Sequence, residues 1–342
     1  MKKILAVFLV VFILCGQLVS LASADGPDAS KDPVVTLIFG GTSSAEDNIS
    51  LAMQRIADLC NERSGGTIRI SVFPASQLGD AVSQMESTIS GAQDMFVEAQ
   101  ANYMQQYGIP ETNVNNLGLI TSQEVLAKEL ETPLWAEWEA KFLENTGLRT
   151  LGHNYLRPSV AISSNIPFHN QDEIKGIKLR TTASAISVDS YNACGFQSTP
   201  VAYGEVYLSL QQGVIDATMG SLDSHYTMGF YEVTKYLCMF TLSSPNFGIW
   251  INEAKYQSMT PAQQQILSEV VLECGDWYTE TNNAMVDGYV QKMVDSGIEI
   301  ITFSDEIMQP IYDKLADLAH SYEEAGKWTP GTYDAMAALL KE

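Results

Sequence analysis

The chain has 342 residues, with 41 acidic side chains against 19 basic ones and a formal net charge of -22. A surface so acidic repels phosphate backbones and anionic headgroups, which excludes nucleic acid and anionic lipid as natural partners; the same charge also serves solubility alone. The length exceeds what one hydrophobic core usually organises, so two lobes are expected.

Met1 to Ala24 carries Lys2 and Lys3, an apolar core from Ile4 to Leu14 and the small-residue site Ala22-Ser23-Ala24 ahead of Asp25, the pattern of a secretory signal peptide cleaved after Ala24. That core is too short to span a bilayer, and no later stretch approaches the roughly 20 apolar residues of a membrane helix, so an exported chain without direct membrane insertion is expected. Cys15 follows Leu14 and not a small residue, which argues against a lipid anchor.

From Pro33 onward, strand and helix patterns alternate. Val34 to Phe39 reads as a strand, Gly40-Gly41-Thr42-Ser43-Ser44 as a tight loop, and Ile49, Met53, Ile56 and Cys60 fall on one helical face, with Ser44 as the expected cap. The loop lacks the lysine of a P-loop and the spacing of a dinucleotide site. Gly40 and Gly41 make the turn, while the backbone and hydroxyls of Thr42 and Ser43 are free to touch a ligand.

Next come a strand over Thr67 to Val72, a helix from Gly79 to Ser90, a strand from Asp94 to Val97 ending at Glu98, and one helix from Thr121 to Leu143 with a Thr121/Glu124 capping box, stopped by Gly147. Such alternation implies a mostly parallel sheet with helices on both faces. Ligands in these sheets sit at the carboxyl ends of strands, which places Thr42, Glu98, Asn102 and Arg180 at similar heights.

Leu148 to Ser164 offers two short strands with Arg157 at their junction. Gly176-Ile177-Lys178-Leu179-Arg180 is a further strand, followed by Thr181, Thr182 and a helix from near Ser184. A strand-to-helix junction presents N–H groups, and a guanidinium adds two parallel charge-assisted bonds, so Arg180 is the candidate anchor for a carboxylate or sulfonate. For both arginines the alternative is a salt bridge to one of the many acids.

Glu205 to Leu210 is a short helix ended by Gly213, and Asp216 braces an adjoining strand. Asn246-Phe247-Gly248-Ile249-Trp250 starts a strand returning to the first lobe; Asn246 and Phe247 are the candidates to face the cleft, with sheet packing the favoured role of Phe247 and Trp250. Thr260 caps the longest helical pattern, which takes Pro261 in its first turn, Gln263 for a capping box, and runs to about Ser296. Unbroken, it would reach about 55 Å and serve both lobes; a break near Thr281-Asn282-Asn283 is the alternative. A strand from Ile298 to Phe303 and two amphipathic helices finish the chain.

Cys60, Cys194, Cys238 and Cys274 match no disulfide framework or zinc spacing and sit in apolar neighbourhoods, so buried thiols are expected, with pairing left open. His153, His169, His225 and His320 show no metal spacing, and no metal or cofactor is expected.

Three segments in order, Lys175-Gly176-Ile177-Lys178-Leu179-Arg180, then Glu205 to Asp216, then Phe230-Tyr231-Glu232-Val233-Thr234-Lys235-Tyr236, together with Phe73-Pro74-Ala75-Ser76-Gln77-Leu78-Gly79 upstream, resemble the substrate-binding proteins of TRAP transporters. The resemblance implies an α/β, two-lobed periplasmic binding protein fold, each lobe a mixed sheet flanked by helices, joined by crossing strands and a long connecting helix. Residues 33–153 with 246–288 would form lobe I and 154–245 with 289–342 lobe II, with crossings near Gly152 to Asn154 and Ser243 to Asn246.

It also implies a small organic acid as ligand, a TRAP membrane permease as partner, a periplasmic location and no chemistry on the ligand. Arg180 would hold the acid group and Arg157 support it, with Glu98, Thr42, Ser43, Asn102 and Asn246 selecting the remainder. Two asparagines frequent in that family are Ala183 and Gly220 here, which predicts an atypical or shorter ligand, with Ser221, Asp223, Ser224 or His225 substituting. An extracytoplasmic sensor for a membrane kinase and an exported enzyme are the competing readings; an enzyme would need a nucleophile–base pair, a metal cluster or paired carboxylates, and none is signalled.

Overall fold

A computed structural model describes residues 27–341; the expected signal peptide at 1–24 lies outside them. The strands are β1 (Val35–Gly41), β2 (Ile68–Phe73), β3 (Met95–Ala99), β4 (Leu148–Leu156), β5 (Val160–Ser164), β6 (Lys178–Thr181), β7 (Gln197–Pro200), β8 (Ala217–Ser221), β9 (Tyr236–Cys238), β10 (Asn246–Asn252) and β11 (Glu299–Ile301). They form two sheets, ordered β2-β1-β3-β10-β4 and β11-β9-β5-β8-β6-β7.

In the first sheet β1 runs parallel to β2 and β3, and β10 runs antiparallel to β3 and β4. In the second, β6 runs parallel to β7 and β8, while β5 is antiparallel to β8 and β9. Each sheet is mixed because one strand in each arrives from the other lobe. Pairing of β4 with β10 continues to Leu156 opposite Asn246, so the chain leaves the first sheet at Arg157, four residues beyond the middle of the expected crossing at Gly152 to Asn154.

The first sheet packs Leu37, Phe39 and Ile249 against Ile49, Met53 and Ile56 of the helix Asn48–Arg63 and against Ile266, Val270 and Tyr278 of the longest helix. The second gathers a cage of aromatics, Phe168, Phe196, Phe240 and Phe303, in edge-on and tilted contact. Such pairs add to area burial through their quadrupoles.

That longest helix runs unbroken over the 35 residues Pro261–Asp295, with the Thr260/Gln263 capping box formed and Pro261 in its first turn. Its first half lies in the first core, and its second half sends Met293 against Ala161 and Leu237 of the second lobe. The alternative break at Thr281-Asn282-Asn283 does not occur. Asn282 and Asn283 instead reach sideways, to Asp223 Oδ2 and Gln123 Oε1.

Two local expectations are corrected. The Thr121 to Leu143 pattern is two helices, Gln123–Leu130 and Pro133–Thr146, because Thr132 caps a second start and Pro133 cannot continue the first helix. The first helix is capped by Asp47, which accepts from Ile49 N, and not by Ser44. The four cysteines are free and buried, with burial pushing Cys60 and Cys194 each up to about 12. Among the described residues no helix is long and apolar enough to cross a membrane.

Glu129 is fully buried on the first of these two helices, and neither carboxyl oxygen has a hydrogen-bond partner. Burial holds its carboxyl well above the usual range. A raised carboxyl binds its proton in the folded state where the unfolded chain has lost it, so stability is full below about pH 4.5 and declines as pH rises toward the folded value. Glu129→Gln is expected to raise the melting temperature at pH 8 by a few degrees and to bring no gain at pH 4; equal effects at both would contradict a buried, protonated Glu129.

Candidate functional site

The carboxyl ends of β1 and β3 face those of β6 and β8 across a cleft floored by the crossings. Local chemistry sets each side chain there. Glu98 is the penultimate residue of β3, Arg180 the penultimate residue of β6, and Arg157 sits between β4 and β5. Together they line a small cavity of about 80 Å³ with Ser43, Asn102 and Tyr203. A second space of about 410 Å³ lies outward between Thr42, Ser76 and Asp80 of one lobe and Ala183, Pro200 and Tyr203 of the other, and Arg180 and Thr182 line both.

Arg180 is 4 % exposed, yet no carboxylate comes within 4.0 Å of it among the described residues. Its one protein hydrogen bond runs from Nε to Val201 O at 2.9 Å, and its guanidinium lies 5.5 Å from the Tyr203 ring. Burial lowers its pKa, which the nearby Tyr203, Tyr103 and Glu98 offset in part. A desolvated guanidinium with both terminal nitrogens unused is a preformed receptor for a planar anion. The salt-bridge alternative for Arg180 is thereby set aside.

For Arg157 the salt bridge does form. Nη2 donates to Asp223 Oδ1 at 3.1 Å, the guanidinium lies 4.5 Å from the Phe247 ring, and the buried Nε has no partner. Burial disfavours its charge, but Asp223 and its neighbours raise the pKa overall. Asp223 also accepts from Ser221 Oγ, Ser224 N and Asn282 Nδ2. It is saturated beneath the cavity and does not line it, so it positions Arg157 and does not face the cleft.

Glu98 accepts from Thr42 Oγ1 at 2.5 Å and from its neighbour Ala99 N at 2.9 Å, and burial raises its pKa despite those bonds and the two arginines. Thr42 thus faces Glu98 and the outer space. Asn102 Oδ1 accepts from Asn116 Nδ2 at 3.0 Å, and both line the inner cavity.

Asn246 does not reach this cavity: its Nδ2 donates to Gln100 Oε1 and His153 O, and Phe247 takes the cavity position instead. Successive strand residues face opposite sides, so of the two candidates at the start of β10 only one can face the cavity, and it is Phe247 and not the favoured Asn246. The helix Ala185–Cys194, capped by Ser184, likewise contributes nothing to the wall, which takes only Thr182 from the residues ahead of it.

Gly220 lines the cavity, where a Cβ would stand 2.7 Å from Ser224 Oγ. Ser221 and Ser224 share that wall, but His225 lies behind it. Its Nε2 donates to Ala161 O and Gly220 O, Nδ1 accepts from Ser163 Oγ, and burial pushes its pKa down to about 4. Ser163 and His225 make a hydroxyl–imidazole pair, yet neither lines the cavity, and two carbonyls lock the ring. Sequence reasoning missed Tyr203, Thr182 and Asn116. Tyr203 carried a signal, an aromatic between Pro200 and Gly204 in the loop that follows a strand beside β6.

Two mixed sheets facing one another across a cleft with an unpaired buried arginine define a two-lobed α/β binding protein. The chain belongs to the bacterial extracellular solute-binding protein family 7 (DctP), whose model matches residues 39–325. It is 27 % identical over 308 residues to the 2,3-diketo-L-gulonate-binding periplasmic protein YiaO of Escherichia coli, covering 84 % of this chain and 92 % of that one. It is also 27 % identical over 293 residues to the sialic acid-binding periplasmic protein SiaP of Vibrio cholerae, covering 84 % and 90 %. In fold it is similar to the sugar acid binding protein DctPAm of Advenella mimigardefordensis in complex with galactonate, with a TM-score of 0.84 at 19 % identity over 90 % of this chain and 98 % of that one.

Proposed function

We propose that this chain is the periplasmic solute-binding subunit of a TRAP transporter, which captures a small organic acid anion between its lobes and delivers it unchanged to the membrane permease. One observation carries the reading: Arg180 is buried, unpaired by any carboxylate among the described residues, and lines the cavity between the lobes. Arg157, Thr182 and Tyr203, each with a buried polar atom that has no partner, line the same space. The relatives named for 2,3-diketo-L-gulonate and sialic acid, and the galactonate complex, support an acid as the ligand class.

The body of the ligand is short. Val160, Met219, Pro245 and Phe247 make one wall apolar, and Gly220 and Ala183 offer no amide to an extended polyol. A carboxylate suits Arg180 best, and a short sulfonate offers the same oxygen geometry.

Hinged closure is the working step. Thr227 Oγ1 of the second lobe donates to Asp47 Oδ2 of the first, and Asn48 Nδ2 donates to Asn282 Oδ1, whose own Nδ2 donates to Asp223. These bonds join the lobes through the long helix to the residue that holds Arg157, so an anion at the arginines favours the state in which the chain of bonds is complete. Small-angle scattering is expected to show a smaller radius of gyration at saturating acid than in the stripped protein. Identical curves would contradict closure on the ligand.

A further inference from the structure

Next to the main cavity and sharing Ala99, Asn102, Asn116, Ser243 and Pro245 with it is an inner space of about 10 Å³, closed by Gln100, Asn115 and Asn246. A polar space of that size is on the order of the one probe sphere that a water molecule requires. Three buried atoms of its lining have no hydrogen-bond partner: Asn246 Oδ1, Asn115 Nδ2 and Asn115 Oδ1. Both residues are almost wholly inaccessible, at 1 % and 3 % exposed. Leaving such groups unpaired is costly, and native proteins rarely do so without a water or a ligand.

The orientation of one amide is set by its neighbours. Asn246 Nδ2 is spent on Gln100 Oε1 at 2.7 Å and His153 O at 2.8 Å, which leaves Oδ1 as an acceptor. Asn115 brings both an unpartnered donor, Nδ2, and an unpartnered acceptor, Oδ1, to the same space. Asn115 Nδ2 is then the donor for the space. A guest there gives one hydrogen to Asn246, accepts one from Asn115, and has a second hydrogen or an attached carbon directed to the main cavity.

We infer that this inner space is a polar subsite for one water-sized hydroxyl group, either a water or a hydroxyl of the ligand itself, and that it selects acids carrying a second, uncharged oxygen. The inference rests on Arg180 as the acid anchor. It places acid recognition at the arginines and discrimination at Asn115 and Asn246, behind the Asn102–Asn116 pair.

Calorimetric titration with butyrate and with 2-, 3- and 4-hydroxybutyrate tests it. At least one hydroxylated acid is expected to bind tenfold or more tightly than butyrate, and Asn115→Leu to erase that preference while keeping butyrate affinity within about twofold. Equal affinities for all four acids, or a preference that survives in Asn115→Leu, would overturn the subsite. Binding of none of them would overturn the subsite as a selector of short hydroxy acids, while the acid anchor stands or falls separately on the loss of acid binding in Arg180→Ala. If Asn115→Leu does not fold, crystals of the unaltered protein with the tightest binder decide: an oxygen between Asn115 Nδ2 and Asn246 Oδ1 supports the inference, and a vacant space or a direct Asn115–Asn246 bond overturns it.

Discussion

Arg180→Ala is expected to lose acid binding by about 30-fold to several thousand-fold while leaving the unliganded protein no less stable. The two halves of that outcome come from one geometry. In the proposed complex, the guanidinium is the buried partner of the ligand anion, and removing one member of such a pair costs about 2–5 kcal/mol. In the free protein Arg180 is desolvated with a single hydrogen bond to Val201 O and no carboxylate partner among the described residues, so alanine removes a charge that burial disfavours. An arginine serving structure would behave in the opposite way, with a large fall in melting temperature. Loss of stability together with unchanged affinity would sink the account of this residue.

Asp223→Ala is expected to be the most destabilising single change near the cleft, by about 3–5 kcal/mol, because it strands Arg157 as a buried charge without its counter-ion. At the scale of a chain this long, each kcal/mol moves the melt by about 2–4 °C, so a fall of roughly 6–20 °C follows. Ser221 Oγ, Ser224 N and Asn282 Nδ2 lose the same acceptor, and the link to Asn48 across the lobes goes with them.

The pair also sets an acid limit. Burial alone would raise the Asp223 pKa, but Arg157 and the hydrogen bonds outweigh it, so the folded value is lowered. A lowered carboxyl contributes stability above the unfolded value near pH 4 and loses it as pH falls through the folded value, so the difference between the native protein and Asp223→Ala should narrow below about pH 4. Asp223→Ala with Arg157→Leu should cost less than the two single losses combined, and strict additivity would show that the pair is not coupled.

What the chain reveals on inspection follows the range of the interactions. The long helix is legible because its cap, its Pro261 and its apolar stripe are local, and the structure forms all three. Arg180 is legible because a short apolar strand ending in arginine stands within a family motif. The roles of Asp223 and Arg157 are not, since the bond joining them spans 66 positions and no local pattern predicts it. The helix break at Thr132-Pro133 was visible as a cap followed by proline, yet the apolar periodicity that runs through it hides the stop.

Short strands escape for a different reason. β9 is three residues long, and β7 ends on Pro200 at the edge of its sheet, so neither displays the alternation that marks a strand. At the start of β10 a shift of one position exchanges the faces of Asn246 and Phe247, and irregular pairing near Ile249 adds to the ambiguity. A site is decided at that resolution, and sequence pattern does not reach it.

The central claim, that the cleft holds a small organic acid on Arg180, is tested most directly by melting the refolded, ligand-stripped protein against a panel of short carboxylates, sugar acids, amino acids and short sulfonates. A ligand at 100 times its dissociation constant adds about 2.7 kcal/mol, a shift of several degrees. A rise with one or a few acids, absent in Arg180→Ala, is the predicted result; a rise with neutral solutes instead, or one that persists in Arg180→Ala, would contradict it.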